Sequence, residues 1–95
     1  MRIVWTRRYL RELAAIGDYI SERNPAAAAR VVLSIHSRTH RLLTQNVFLG
    51  RRGEIEGTRE LVLADLGYIV AYRVRKDHVE VLFVQHGARA WPEQL

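Results

Sequence analysis

Apolar residues in the first half of the chain recur at the spacing of a helix face, and in the second half they run as strands. Residues 2–5, RIVW, form a short apolar segment that reads as a strand. Thr6 stands where its hydroxyl can cap a helix. Tyr9, Leu10, Leu13, Ile16, Gly17 and Ile20 then repeat along one face, which predicts an amphipathic helix from Thr6 to Glu22. Asn24 is a favoured N-cap, and Pro25 sits at the first helical position, where its missing N–H costs nothing. A second helix therefore starts at once, with Ala28, Val32, Ile35, Thr39 and Leu42 on one stripe, and runs to Leu43. So short a connection folds the two into an antiparallel hairpin.

From Thr44 to Gly57 the helical period is lost and glycines stand at positions 50, 53 and 57, which predicts a loop. TRELVLA, YIVAYRVR and HVEVLFVQH follow, separated by DLG and KD turns, and predict a three-stranded antiparallel meander. The expected order is β-α-α-β-β-β. This is one α+β domain over residues 1–95, a helical hairpin packed on a small antiparallel sheet. In the middle strand Tyr68, Val70, Tyr72 and Val74 share the face expected beneath the helices, and Ile69, Ala71, Arg73 and Arg75 share the other. That second face begins apolar and becomes basic, so part of it is expected to be buried by another chain.

Composition narrows the function classes. With 95 residues there is room for one core. The absence of cysteine excludes a disulfide framework, a Cys-based zinc site and a thiol nucleophile, and suggests a cytoplasmic protein. Charges interrupt every apolar run of MRIVWTRRYL, so neither a signal peptide nor a membrane helix is expected. The net charge is +5, and every basic residue except Lys76 is arginine. Guanidinium groups suit carboxylate, phosphate and aromatic partners.

Candidate chemistry is sparse. His36 and His40 lie four apart on the second helix, but nothing nearby completes a ligand set, so no metal and no cofactor is expected. The glycines of GRRGEIEG lack nucleotide-binding spacing, and no serine sits on a strand-turn-helix elbow. A metal-free ribonuclease would need a base, an acid and cationic groups, for which Glu60 or His86 and Arg59, Arg73 and Arg89 are available.

Taken in order, GTRELVL at 57–63, YIVAYRV at 68–74 and VLFVQHGARAWP at 81–92 resemble the ParE branch of the ParE/RelE toxin superfamily. The resemblance extends to WTRRYLRELAAIGDYISERNP in the N-terminal half. It implies the toxin of a type II toxin–antitoxin system, of the plasmid-stabilisation kind. Such a toxin inhibits DNA gyrase and is neutralised by a cognate antitoxin whose acidic, apolar C-terminal segment folds on it. Direct sequence-specific nucleic-acid binding and membrane association are not implied.

RelE-like relatives cut mRNA on the ribosome, and their middle strand resembles G-Y-R-x-x-Y. Here Gly67 and Tyr68 are followed by Ile69, which cannot stabilise a phosphate, and the tail offers Trp91 and Pro92 in place of a tyrosine. The reading is therefore a non-catalytic inhibitor with no catalytic residues. Arg59, Arg73, His86, Arg89 and Trp91 are its candidate contacts with target or antitoxin. The alternatives are a RelE-type nuclease and a toxin-derived module that only binds.

Overall fold

Thr6 ends the first strand and starts the first helix. Its side chain accepts the Tyr9 N–H at 3.3 Å, and its own backbone N–H donates to the Val81 carbonyl at 3.2 Å. The computed structural model describes residues 1–87 of the 95-residue chain. They form β1 (Arg2–Trp5), α1 (Arg7–Ser21), α2 (Pro25–Gln45), β2 (Arg51–Arg52), β3 (Arg59–Leu63), β4 (Tyr68–Val74) and β5 (His78–His86). Asn24 caps α2 as expected, accepting the Ala27 N–H at 3.1 Å, and Pro25 occupies the first turn.

The strands make one five-stranded sheet in the order β1-β5-β4-β3-β2. It is mixed where a wholly antiparallel sheet was expected, because β1 pairs in parallel with β5, Arg2 opposite His78 and Trp5 opposite Val81. The segment read as a loop also holds an unexpected short strand, β2, with Arg51 opposite Glu60 and Arg52 opposite Arg59.

The hairpin lies on one face of the sheet. Tyr9 and Leu13 from α1, Ile35 and Leu43 from α2, and Leu61, Leu63, Val70, Tyr72, Val79, Val81 and Val84 from the strands form the main core. Tyr68 and Val74 pack against it, so β4 presents its expected face to the helices. Gly17 is where the helices come closest. A Cβ there would stand 3.0 Å from a Val32 methyl.

β5 departs from simple alternation. Its register against β4 shifts between Ala71 and Tyr72, so Phe83 faces Ala71 while Val81 faces Tyr72. Leu82 is the extra residue of a β-bulge. Val81 and Val84 therefore both enter the main core, while Leu82 and Phe83 join Ala71 in a second cluster, against which Ile55 packs. The second face is thus partly buried within the chain itself.

Polar groups fix the segment before β3. The fully buried Tyr72 hydroxyl donates to the Val47 carbonyl at 2.9 Å and accepts the Gly50 N–H at 2.8 Å. A Cβ on Gly50 would meet that oxygen at 2.6 Å, which is why glycine stands there. Replacing Tyr72 with Phe strands both backbone groups. Tyr72→Phe is expected to lose about 2 kcal/mol of stability with the fold retained, as measured by urea unfolding. An unchanged midpoint would show that water replaces the hydroxyl.

Candidate functional site

The polar residues of the GTREL stretch are engaged within the chain. Thr58 donates from its hydroxyl to the Ile55 carbonyl at 2.5 Å. The Arg59 guanidinium donates to the carbonyls of Gly50 at 2.9 Å and Phe48 at 3.3 Å, and lies over the Phe48 ring at 5.1 Å. Glu60 is buried. It pairs with Arg51 at 2.9 Å and accepts the Glu54 N–H at 3.0 Å. Together these bonds hold β2 beside β3.

Arg73 is bound differently. It pairs with Glu80 at 2.9 Å across β4 and β5, and Arg75 reaches the same carboxylate at 3.2 Å. Hydrogen bonding from Arg73, Arg75 and His78 holds the Glu80 carboxyl below its ordinary range, against the opposing effect of desolvation. His86 meets the Tyr68 ring edge-on at 5.5 Å. Arg89 and Trp91 lie outside the described residues.

Register decides which of these groups share a surface. Arg59 is opposite Tyr72 and His86 is opposite Tyr68, which places both on the helix side of the sheet. Arg73 is opposite Glu80 and Glu60 is opposite Ala71, which places them on the other side. The sheet therefore does not gather Glu60, His86, Arg59 and Arg73 at one point. Among the described residues no group of three or more His, Asp or Glu could hold a metal ion.

Two features were not legible in the sequence. One is a cleft of about 510 Å³ between α1 and the end of the sheet, lined by Glu12, Ile16 and Tyr19 on one side and Tyr68, Val84 and His86 on the other. Glu12 closes part of it. Its carboxylate accepts the Val84 N–H at 3.0 Å, beyond the point where β1 stops, and the Arg8 Nε–H at 3.4 Å. The helical repeat puts Glu12 beside the core stripe, but its strand partner lies 72 residues away.

The other is an aromatic cluster where β1, α1 and α2 meet. The Trp5 and His36 rings lie 4.1 Å apart, His40 stacks at 6.4 Å from Trp5, and the buried Tyr9 hydroxyl lies 2.9 Å from His36 Nδ1. Burial pushes the Tyr9 hydroxyl up, so it stays protonated while it shares a hydrogen bond with His36 Nδ1. Burial also raises Tyr68 and Tyr72, so none of these three phenols is a base near neutral pH.

Burial first, and then the nearby His40, lower the His36 value below its ordinary 6.5. A depressed histidine favours the neutral form in the fold. Its contribution is whole above pH 6.5 and is lost as pH falls below that value. Between pH 7.5 and 5 the melting temperature is expected to fall, and His36→Gln, which keeps a polar partner for Tyr9, is expected to flatten that fall. Parallel melting curves for the two proteins would remove His36 as the titrating group.

Comparison with known proteins agrees with this architecture. The family model described as "ParE toxin of type II toxin-antitoxin system, parDE" matches residues 3–91. "Putative toxin Y4kP" of Sinorhizobium fredii is 49% identical over 94 residues, covering 99% of this chain and 96% of its own. "Toxin RelE2" of Caulobacter vibrioides is 33% identical over 90 residues, covering 93% of this chain and 97% of its own. A chain of the chromosomal ParDE system from P. aeruginosa superposes with a TM-score of 0.83 at 27% identity, covering 90% of this chain and 95% of that one. With the helical hairpin, the mixed sheet and the GTREL staples in place, the chain belongs to the ParE toxin family of type II toxin–antitoxin systems.

Proposed function

We propose that this toxin inhibits DNA gyrase by binding and without catalysis, and that a cognate antitoxin with an acidic, apolar C-terminal segment neutralises it in the cytoplasm. In this reading it belongs to a plasmid-stabilisation module. One observation carries the non-catalytic half. Among the described residues, the groups available for cutting RNA sit on two faces of the sheet, with Glu60 bound by Arg51, Arg59 by main-chain carbonyls and Arg73 by Glu80. A general base must reach the proton that it takes, and a cation the phosphate that it stabilises. Ile69 at the start of β4, where the RelE-like pattern has arginine, supports the same conclusion.

Antitoxin binding is supported by family membership and by the charge. At +5, with arginine as nearly the only base, the chain is matched to an acidic partner. A RelE-type nuclease is the second reading, favoured by the 33% identity to Toxin RelE2.

The two readings separate in a paired assay on purified, antitoxin-free protein. Loss of gyrase supercoiling with trapped cleaved DNA, and intact mRNA on translating ribosomes, is the expected result. Ile69→Arg is expected to leave mRNA intact as well. Ribosome-dependent cuts by the unaltered protein would establish the nuclease and overturn the inhibitor reading.

A further inference from the structure

β5 is covered unequally along its two edges. β4 pairs with it from Val79 to His86, whereas β1 reaches only His78–Val81. The Thr6 hydroxyl then meets the carbonyls of Val81 and Leu82 and closes that pairing. Among the described residues no strand lies along the outer edge from Leu82 to His86. Val84 stands in the middle of this stretch, and its N–H points outward, since it donates to a Glu12 carboxylate oxygen at 3.0 Å. The carbonyl of a residue in an antiparallel strand points the same way as its N–H. Val84 therefore turns both groups of a ladder pair towards the uncovered side.

Such an edge is a template for another strand. Residues 81–85 read VLFVQ, with neither charge nor proline to discourage pairing. There is also room for a neighbour. The cleft of about 510 Å³ separates Val84 from Ile16 and Tyr19 of α1, and Tyr19 is 59% exposed.

One side chain stands in that space. Glu12 reaches from α1 to the Val84 N–H, and its other carboxylate oxygen accepts the Arg8 Nε–H at 3.4 Å. Arg8 in turn lies over the Phe83 ring at 4.7 Å, so the carboxylate is steadied from the same strand that it covers. A carboxylate only accepts hydrogen bonds. It occupies the one donor that an added strand would need at Val84, and it repels the carbonyl that such a strand would bring there.

The edge is matched to its own copy. With a two-fold axis at Val84, antiparallel pairing sets this residue opposite its counterpart, and the two exchange both bonds of a ladder pair. The same axis brings the two Glu12 carboxylates towards one another, so the obstruction acts twice in a self-pair.

We propose that Glu12 shuts the outer edge of β5 against a second copy of this chain, and that two copies pair edge to edge at Val84 once its carboxylate is removed. Inward-pointing charge is a common means of blunting a sheet edge. Here the charge comes from a helix, and it also anchors that helix to the strand.

The test uses purified, antitoxin-free full chain. Sedimentation velocity over a tenfold range of concentration compares unaltered protein with Glu12→Ala and Glu12→Gln. The glutamine keeps the length and an acceptor for the Val84 N–H while removing the charge, so it decides the matter where Glu12→Ala does not fold. Leu13→Ala, which loosens the core and leaves Glu12 in place, is the comparison variant. Each protein is studied at the same interval below its own melting temperature, and exchange of the Val84 amide is followed as concentration rises.

Monomeric unaltered protein, self-association at least tenfold tighter in the folded Glu12 variants, and Val84 exchange in them that slows with concentration are the expected results. Folded Glu12 variants that stay monomeric would overturn the proposal. So would association that leaves Val84 exchange unchanged, which would place the contact on another surface. Equal association by Leu13→Ala would trace the effect to a loosened fold, and pairing of the unaltered protein at Val84 would show that Glu12 is no barrier.

Discussion

One extra residue in β5 governs how the rest of the chain is arranged. Without the bulge at Leu82, strict alternation would put Val81 and Phe83 on one face and Leu82 and Val84 on the other. With it, Val81 and Val84 both meet the helices, and Leu82 and Phe83 both face away. The bulge also fixes where β1 must stop. The Thr6 hydroxyl lies 2.7 and 3.1 Å from the carbonyls of Val81 and Leu82, so the residue that caps α1 is also tied to the irregular point of β5. A cap is worth about 1 kcal/mol in an ordinary helix. Here it sets the direction of α1 across the sheet as well, and so brings Arg8 over the Phe83 ring at 4.7 Å and Glu12 to the Val84 N–H.

The elements with a strong period were legible in the sequence. Both helices, their caps at Thr6 and Asn24, and the three strands of the meander follow from spacing and residue type alone. β2 was not legible because two residues show no period. It exists through bonds to distant groups, namely Arg51 to Glu60 and Gly50 to the Tyr72 hydroxyl. The bulge was hidden for the opposite reason. VLFV is apolar at every position, so the sequence held no mark of which residues share a face.

Site residues were harder to read because type alone does not say what a side chain is bound to. Arg59 and Arg73 look alike in the sequence, yet one spans main-chain carbonyls and the other a carboxylate across the strands. His36 stood out in the sequence only through its spacing from His40 on the second helix. It proved to be half-buried between Trp5 and Tyr9. Pairwise contacts between residues 27 or 31 positions apart depend on how the hairpin packs, which local pattern does not specify.

The same distinction bears on how a small basic protein can act. Surface arginines with carboxylate partners contribute little net charge, so the useful quantity is the charge left over after internal pairing. Arg8, Arg38, Arg51, Arg73 and Arg75 are paired within the chain, and Arg59 is held by carbonyls. Arg7, Arg11, Arg30, Arg41 and Arg52 have no carboxylate partner among the described residues. They are spread over α1, α2 and β2 instead of converging on one pocket. Dispersed cations attract an extended acidic chain that winds over several elements, because each contact is weak and many are needed. They are poorly placed to stabilise one reacting phosphate, which requires several donors within hydrogen-bond distance of the same oxygens. Charge dispersal therefore favours recognition along a surface over chemistry at a point.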